Sequence, residues 1–184
     1  MRQLILIRHS KVKIDPDIPS REWKLSANGR LLSRTLAPKI APYQPTIFIT
    51  SEEPKAAKTG QLIADELGVP WHTAPNLHEH DRTGTPYFES RDEFETAVSN
   101  FFTHPNELVL GMETAVSTCQ RFTNAINQVL KQHPTGNIAI VAHGTVITLF
   151  ISHFNSQIAP IPFWQQLTLP DYYILNLPSF ALQP

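Results

Sequence analysis

Leu4-Ile5-Leu6-Ile7 is an unbroken apolar run that stops abruptly at Arg8-His9-Ser10. A run this short, without polar alternation, suits a strand buried on both faces of a parallel sheet, and it sets a polar cluster at the strand's C-terminal end. Ile138-Ala139-Ile140-Val141-Ala142 repeats the pattern and also ends in polar chemistry, at His143-Gly144. Thr46-Ile47-Phe48-Ile49-Thr50 reads as another strand, Trp71-His72-Thr73 as a short one, and the segment from Tyr172 to Leu177 as a last one.

Helical periodicity fills the intervals. Ser26 is placed as an N-cap before Leu32, Leu36 and Ile40, with Pro38 expected to stop or kink that helix early. From Pro54 the apolar positions Ala56, Gly60, Ile63, Ala64 and Leu67 share one helical face, closed by Gly68 and Pro70. Phe94, Ala97, Val98, Phe101 and Phe102 mark a further amphipathic helix, read as core packing. Glu113 is expected to open the longest helix, with Ala115, Cys119, Phe122, Ile126, Val129 and Leu130 as its stripe and Pro134 and Gly136 as its stop. One more helix runs from Thr145 to Phe154. Strands alternating with helices at this spacing predict an α/β fold: a three-layer, doubly wound, mostly parallel sheet in one domain. Residues 74–110 stand out as a small helical and loop insertion. The proline clusters at Asp15-Pro16-Asp17-Ile18-Pro19 and Ala159-Pro160-Ile161-Pro162 read as ordered connections.

The 184 residues carry 15 basic and 16 acidic side chains, a formal charge of −1. That balance indicates neither the phosphate grip of a nucleic-acid binder nor a polybasic membrane patch, so a small molecule is the expected partner. The N-terminal apolar run is too short for a signal peptide and no window approaches a membrane span. A single cysteine, Cys119, forms no disulfide within the chain, and a reducing, cytoplasmic setting is expected.

In open α/β sheets ligands bind beyond the carboxyl ends of the strands, and here two separate strands deliver a histidine to that edge. His9 and His143, with Arg8 alongside, would combine a nucleophilic imidazole, a second imidazole and a guanidinium. Such a set suits a phosphate dianion and the charge of its transition state, which makes phosphoryl transfer the natural reaction.

The same residues resemble the histidine phosphatase superfamily, the phosphoglycerate-mutase-like enzymes. Leu4-Ile5-Leu6-Ile7-Arg8-His9-Ser10 is similar to the family's strand followed by Arg-His-Gly, and Leu25-Ser26-Ala27-Asn28-Gly29-Arg30 to its Leu-Thr-x-x-Gly-Arg. Ser51-Glu52-Glu53-Pro54-Lys55-Ala56-Ala57-Lys58-Thr59-Gly60 resembles Ser-x-x-x-Arg-Ala-x-x-Thr-Ala, and Leu77-His78-Glu79 resembles the Leu-x-Glu segment that supplies the general acid. Gly111-Met112-Glu113-Thr114 resembles a Gly-Glu-Ser helix start, and Val141-Ala142-His143-Gly144 resembles the second-histidine motif. Six motifs in unbroken order over some 150 residues are specific where any one dipeptide is not.

The resemblance implies that His9 attacks phosphorus, that Glu79 protonates the leaving oxygen and then activates water, and that Arg8, Ser10, Lys55, His143 and Gly144 surround the phosphoryl group. It implies no cofactor and no metal, the cationic side chains supplying the neutralisation. Asp81 competes with Glu79 for the acid role. His78-Glu79-His80-Asp81 also has the alternation of a metal site, but without a second ligand pair at a recognisable spacing. Glu113 places a negative charge at a helix N-terminus, and Arg82, Tyr87 and Arg91 are candidates for reading the substrate.

Two departures qualify the match. Ser10 replaces glycine, adding a side chain where the family keeps the backbone bare, and would be strained if the position required a left-handed backbone. Lys55 replaces an arginine, keeping the charge but not the planar two-pronged grip. The expected function is phosphate-monoester hydrolysis, on a small metabolite or a phosphoprotein, through a phosphohistidine on His9. The alternatives are a phosphoglycerate-type mutase, disfavoured by the short 74–110 segment, and a phosphate-binding or regulatory module without turnover.

Overall fold

A computed structural model describes residues 2–183. Six strands form one sheet in the order β3-β2-β4-β1-β5-β6. The strands are β1 (Gln3–Arg8), β2 (Pro45–Thr50), β3 (Trp71–Thr73), β4 (Asn137–Ala142), β5 (Asp171–Asn176) and β6 (Ala181–Leu182). β1 to β4 run parallel, whereas β5 and β6 form an antiparallel edge. The sheet is thus mixed and mostly parallel.

Alternate residues of the apolar runs face opposite layers, because successive strand side chains point to opposite faces. Leu4, Leu6, Ile138 and Ile140 pack under α4 (Ala115–Gln132) and α5 (Gly144–Phe154), with Phe122, Ile126, Ile147 and Phe150 completing that core. Ile5, Ile7, Ala139 and Val141 pack under α1 (Ala27–Ile40) and α2 (Pro54–Leu67), against Leu36, Ile40, Ala56 and Ile63. A third, smaller cluster joins Val98, Phe101 and Phe102 of α3 (Arg91–Thr103) to Leu110 and Ala115, so the aromatic stripe is core, as expected. Among the described residues no helix is long and apolar enough to cross a membrane.

Local differences from the sequence expectations have physical causes. α1 does not stop at Pro38 but runs two residues beyond it. At that place proline removes a single hydrogen bond, to the carbonyl of exposed Arg34, which water can satisfy. Ala159-Pro160-Ile161-Pro162 is not a plain connection. It starts α6 (Pro160–Gln166), because first-turn N–H groups have no helical partner and prolines there lose nothing. β5 is antiparallel because α6 returns the chain to the edge where Arg8 lies, and Arg8 pairs with Asp171 at the strand's start. Glu113 lies outside α4, whose N-cap is Thr114 in a reciprocal capping box with Ser117.

Candidate active site

The parallel register that places Arg8 opposite Ala142 also places His9 and His143 side by side, one residue beyond their strands. The His9 N–H donates to the Ala142 carbonyl at 2.9 Å, extending the ladder into the site. The two rings meet edge to face with centroids 5.2 Å apart. β2 contributes in the same way, since the Ser51 N–H donates to the Val141 carbonyl at 2.9 Å.

His9 Nδ1 lies 2.8 Å from the Ser10 carbonyl oxygen. A carbonyl only accepts, so Nδ1 holds the ring proton and Nε2 keeps its lone pair. Burial, and then the nearby His143 and Lys55, hold the His9 pKa well below the ordinary histidine value. The imidazole is therefore neutral and nucleophilic at physiological pH. Ser10 is not strained: among the described residues the non-glycine positive-φ positions are Gln44, Asn76 and Phe180. Its N–H donates to Thr59 Oγ1 at 3.0 Å.

His143 is fully buried, with Nε2 2.9 Å from Ser51 Oγ and 3.5 Å from Glu53 Oε1. Burial and then Lys55 lower its pKa far below the usual range, against the pull of Glu79. Lys55, 5% exposed, donates to the Ser20 carbonyl at 2.6 Å and pairs with Glu53 Oε2 at 2.6 Å. Arg8 Nη1 donates to the Leu167 carbonyl at 2.8 Å. Gly144 lets that guanidinium approach, because a β-carbon there would stand 3.1 Å from Arg8 Nε. Gly29 has a comparable reason: its β-carbon would fall 1.9 Å from the Lys11 carbonyl oxygen, where the segment after His9 packs on α1. Arg8 Nε, Ser10 Oγ and His143 Nδ1 are buried and make no hydrogen bond among the described residues. A tetrahedral oxyanion presents the oxygens that such groups lack.

Glu79, not Asp81, turns inward. Its Oε2 accepts from the Thr145 N–H at 3.0 Å and its Oε1 from the Val146 N–H at 3.2 Å, at the start of α5. Burial would raise its pKa, but Arg82, His143 and the Thr145 and His80 amides outweigh burial and hold it far below the carboxylate range. Asp81 instead accepts from the Thr83 N–H at 2.9 Å within its own turn. The alternating set does not converge. His80 is buried, stacked on Phe101 at 4.1 Å, with Nε2 2.6 Å from the Leu110 carbonyl oxygen.

Three supporting roles escaped the sequence reading, which singled out Arg82 only for the substrate. Arg121 grips both oxygens of Glu113, at 2.7 and 2.8 Å, and donates to the carbonyls of Asn76, His78 and Glu79. The Asp81 N–H donates to Glu113 at 3.1 Å, so the pair clamps the loop that aims Glu79. Glu113, directly before the N-cap of α4, thus also has a part in this clamp. Arg82 lies 3.8 Å from Glu79, donates to Thr145 Oγ1 and covers the Phe94 ring at 4.8 Å. Glu53 is the third. A half-buried arginine eight residues after Glu113, or an acid at a helix start, gives no signal until the chain is folded. Of the substrate-reading candidates, Tyr87 is exposed and meets Trp23 edge to face, while Arg91 pairs with Glu95 in solvent. A groove of about 400 Å³ opens beside Arg8, lined in part by Lys11, Arg91, Phe94, Trp164 and Thr168.

The paired strand-end histidines, with Arg8 and Lys55 beside them, form a cationic pocket, and comparison with known proteins gives the family. The family model of the histidine phosphatase superfamily (branch 1) matches residues 4–176, and the chain belongs to that family. The uncharacterized phosphatase PhoE of Bacillus subtilis (strain 168) is 23% identical over 166 residues, 84% of this chain and 78% of that protein. The native structure of mycobacterial glucosyl-3-phosphoglycerate phosphatase superposes with a TM-score of 0.76 at 15% identity, covering 99% of this chain and 96% of that one. Phosphoserine phosphatase of Entamoeba histolytica, solved with 3-phosphoglyceric acid, gives 0.75 at 20% identity over 100% and 94%. At these identities the superpositions establish the fold.

Proposed function

We propose that this protein hydrolyses phosphate monoesters through a phosphohistidine on His9. The observation that carries the proposal is the protonation pattern of His9: Nδ1–H is tied to the Ser10 carbonyl, and Nε2 is free in a pocket of cations. Family membership and phosphatases among the relatives support the same reading.

In the first step His9 Nε2 forms a bond to phosphorus as the ester P–O bond breaks, and the departing alkoxide takes a proton from Glu79. Glu79 is a carboxylate in the free protein. The negative charge of a bound phosphate raises its pKa, so binding and protonation of Glu79 are coupled. In the second step Glu79 takes a proton from water, the water oxygen bonds to phosphorus, and the P–N bond breaks to release phosphate. Arg8, Lys55, His143 and the start of α5 offset the charge that grows on the phosphoryl oxygens. No step calls on a metal. The organic part of the substrate would lie in the groove beside Arg8, between cations and the Phe94 and Trp164 rings.

Phosphate release from p-nitrophenyl phosphate and a panel of phosphorylated metabolites, with and without a chelator, tests the reading against His9→Ala. Release that survives the chelator and is lost in His9→Ala is the expected result. Phosphate binding without release from any compound would instead make the protein a binding module.

A further inference from the structure

We infer that Glu53 is a positioning residue of this site, fixing the Lys55 ammonium on one side and the His143 ring and Glu79 backbone on the other. The inference rests on the phosphatase reading of the same site. Glu53 is the N-cap residue of α2, yet its side chain caps nothing in its own helix. At 9% exposure its carboxylate is turned into the pocket. Oε2 lies 2.6 Å from Lys55 Nζ. Oε1 accepts from the Glu79 N–H at 2.9 Å and stands 3.5 Å from His143 Nε2. One side chain therefore touches a phosphate-binding cation, the second histidine and the loop bearing the proton donor.

This contact set answers the loss of the arginine. A guanidinium presents a rigid planar fork, whereas a lysine ammonium is a point charge on a flexible stem. Here the ammonium is hydrogen-bonded to the Ser20 carbonyl and drawn from another side by the Glu53 carboxylate, which restricts where its other N–H groups point. An ordinary acid at a helix start would instead face its own N–H groups or water and would be coupled to neither histidine. Pro54 fixes the backbone between the two partners, the N-cap Glu53 and the first-turn Lys55 of α2.

The test is a double-mutant cycle of Glu53→Gln and Lys55→Gln, each confirmed as folded by circular dichroism, read as kcat/KM on p-nitrophenyl phosphate and as affinity for orthovanadate. Misplacing a phosphate-binding group by an ångström costs about 10²-fold in rate, and Glu53→Gln alone should approach that loss. In the Lys55→Gln background the same change should cost more than about twofold less than it does alone, because the share of its effect that runs through the cation is already lost and only the share through His143 and the Glu79 N–H remains. Effects that multiply to within about twofold, or a Glu53→Gln enzyme within about twofold of the parent, would overturn the inference. If Glu53→Gln does not fold, Glu53→Asp takes its place: activity should fall and be recovered in part by Lys55→Arg, whose longer fork spans the gap, and no recovery counts against the claim. A parent that binds vanadate but releases no phosphate removes the hydrolase reading, and the vanadate cycle then decides the role of Glu53 alone. A parent that does neither sinks both.

Discussion

The strand ends that carry His9, His143 and Ser51 differ in kind from the connection of residues 74–114 that rises beside them. At the strand ends the His9 and Ser51 N–H groups extend the sheet ladder, the His143 carbonyl accepts from Ile147 in α5, and the side chains are nearly all buried. The connection has one helix and a largely irregular stretch before it, with Tyr87, Leu108, Val109 and Met112 exposed. The first region can hold reacting groups to the tolerance that chemistry demands; in the second, Glu79 is held by the Thr145 and Val146 N–H groups and the Glu113–Arg121 pair, while the exposed positions around it can vary.

Phe150 lies at the centre of the layer beneath the site, fully buried among Phe122, Phe154 and Phe180. Phe150→Ala should cost about 3–5 kcal/mol in urea unfolding, and a smaller loss would mean that the scaffold is not the rigid partner.

Acid should strike the same region. The folded-state pKa values of His9 and His143 are depressed mainly by burial, below the unfolded value of about 6.5. Below that pH the unfolded chain binds more protons than the folded one. Stability is therefore complete above about pH 6.5 and falls as pH drops, by about 1.4 kcal/mol per unit for each histidine that stays neutral. Glu79 and Glu113 have depressed values and lose their contribution only below about pH 4.3, the unfolded glutamate value, so the window from about pH 6.5 to 4.5 reads the histidines, to which His78 and His80, also lowered by burial, add. Denaturant midpoints that stay flat across it would contradict the buried neutral pair.

Arg121→Ala removes the clamp on the loop that aims Glu79. It should cost about 2 kcal/mol of stability, as expected for hydrogen bonds to a charged group, and should lower kcat more than it raises KM. Unchanged turnover would show that Glu79 is aimed by α5 alone. Tyr87→Ala should change stability by less than about 0.5 kcal/mol while altering the order of preferred substrates. An unaltered order would move specificity to the groove lined by Phe94 and Trp164.

The sequence carries the first region much better than the second. Uninterrupted apolar runs ending in a histidine are legible because a doubly buried strand demands them, and strand order then decides which ends meet. Strand direction at the sheet edge was not legible, since β5 has the same burial pattern whichever way it runs. Nor was α6, whose prolines read as loop until their place in a first turn is known. The contacts of Glu53 and Arg121 were hidden for another reason. Both depend on side chains reaching across elements, Arg121 to carbonyls some 43 residues away, and local spacing holds no record of that.

The most direct test of the central claim is to quench a reaction with a phosphorylated substrate in alkali, where phosphohistidine survives, and map the added phosphate by mass spectrometry. The account predicts an acid-labile phosphoryl group on His9, absent from His9→Ala. Turnover without such a species, or undiminished turnover in His9→Ala, would contradict it.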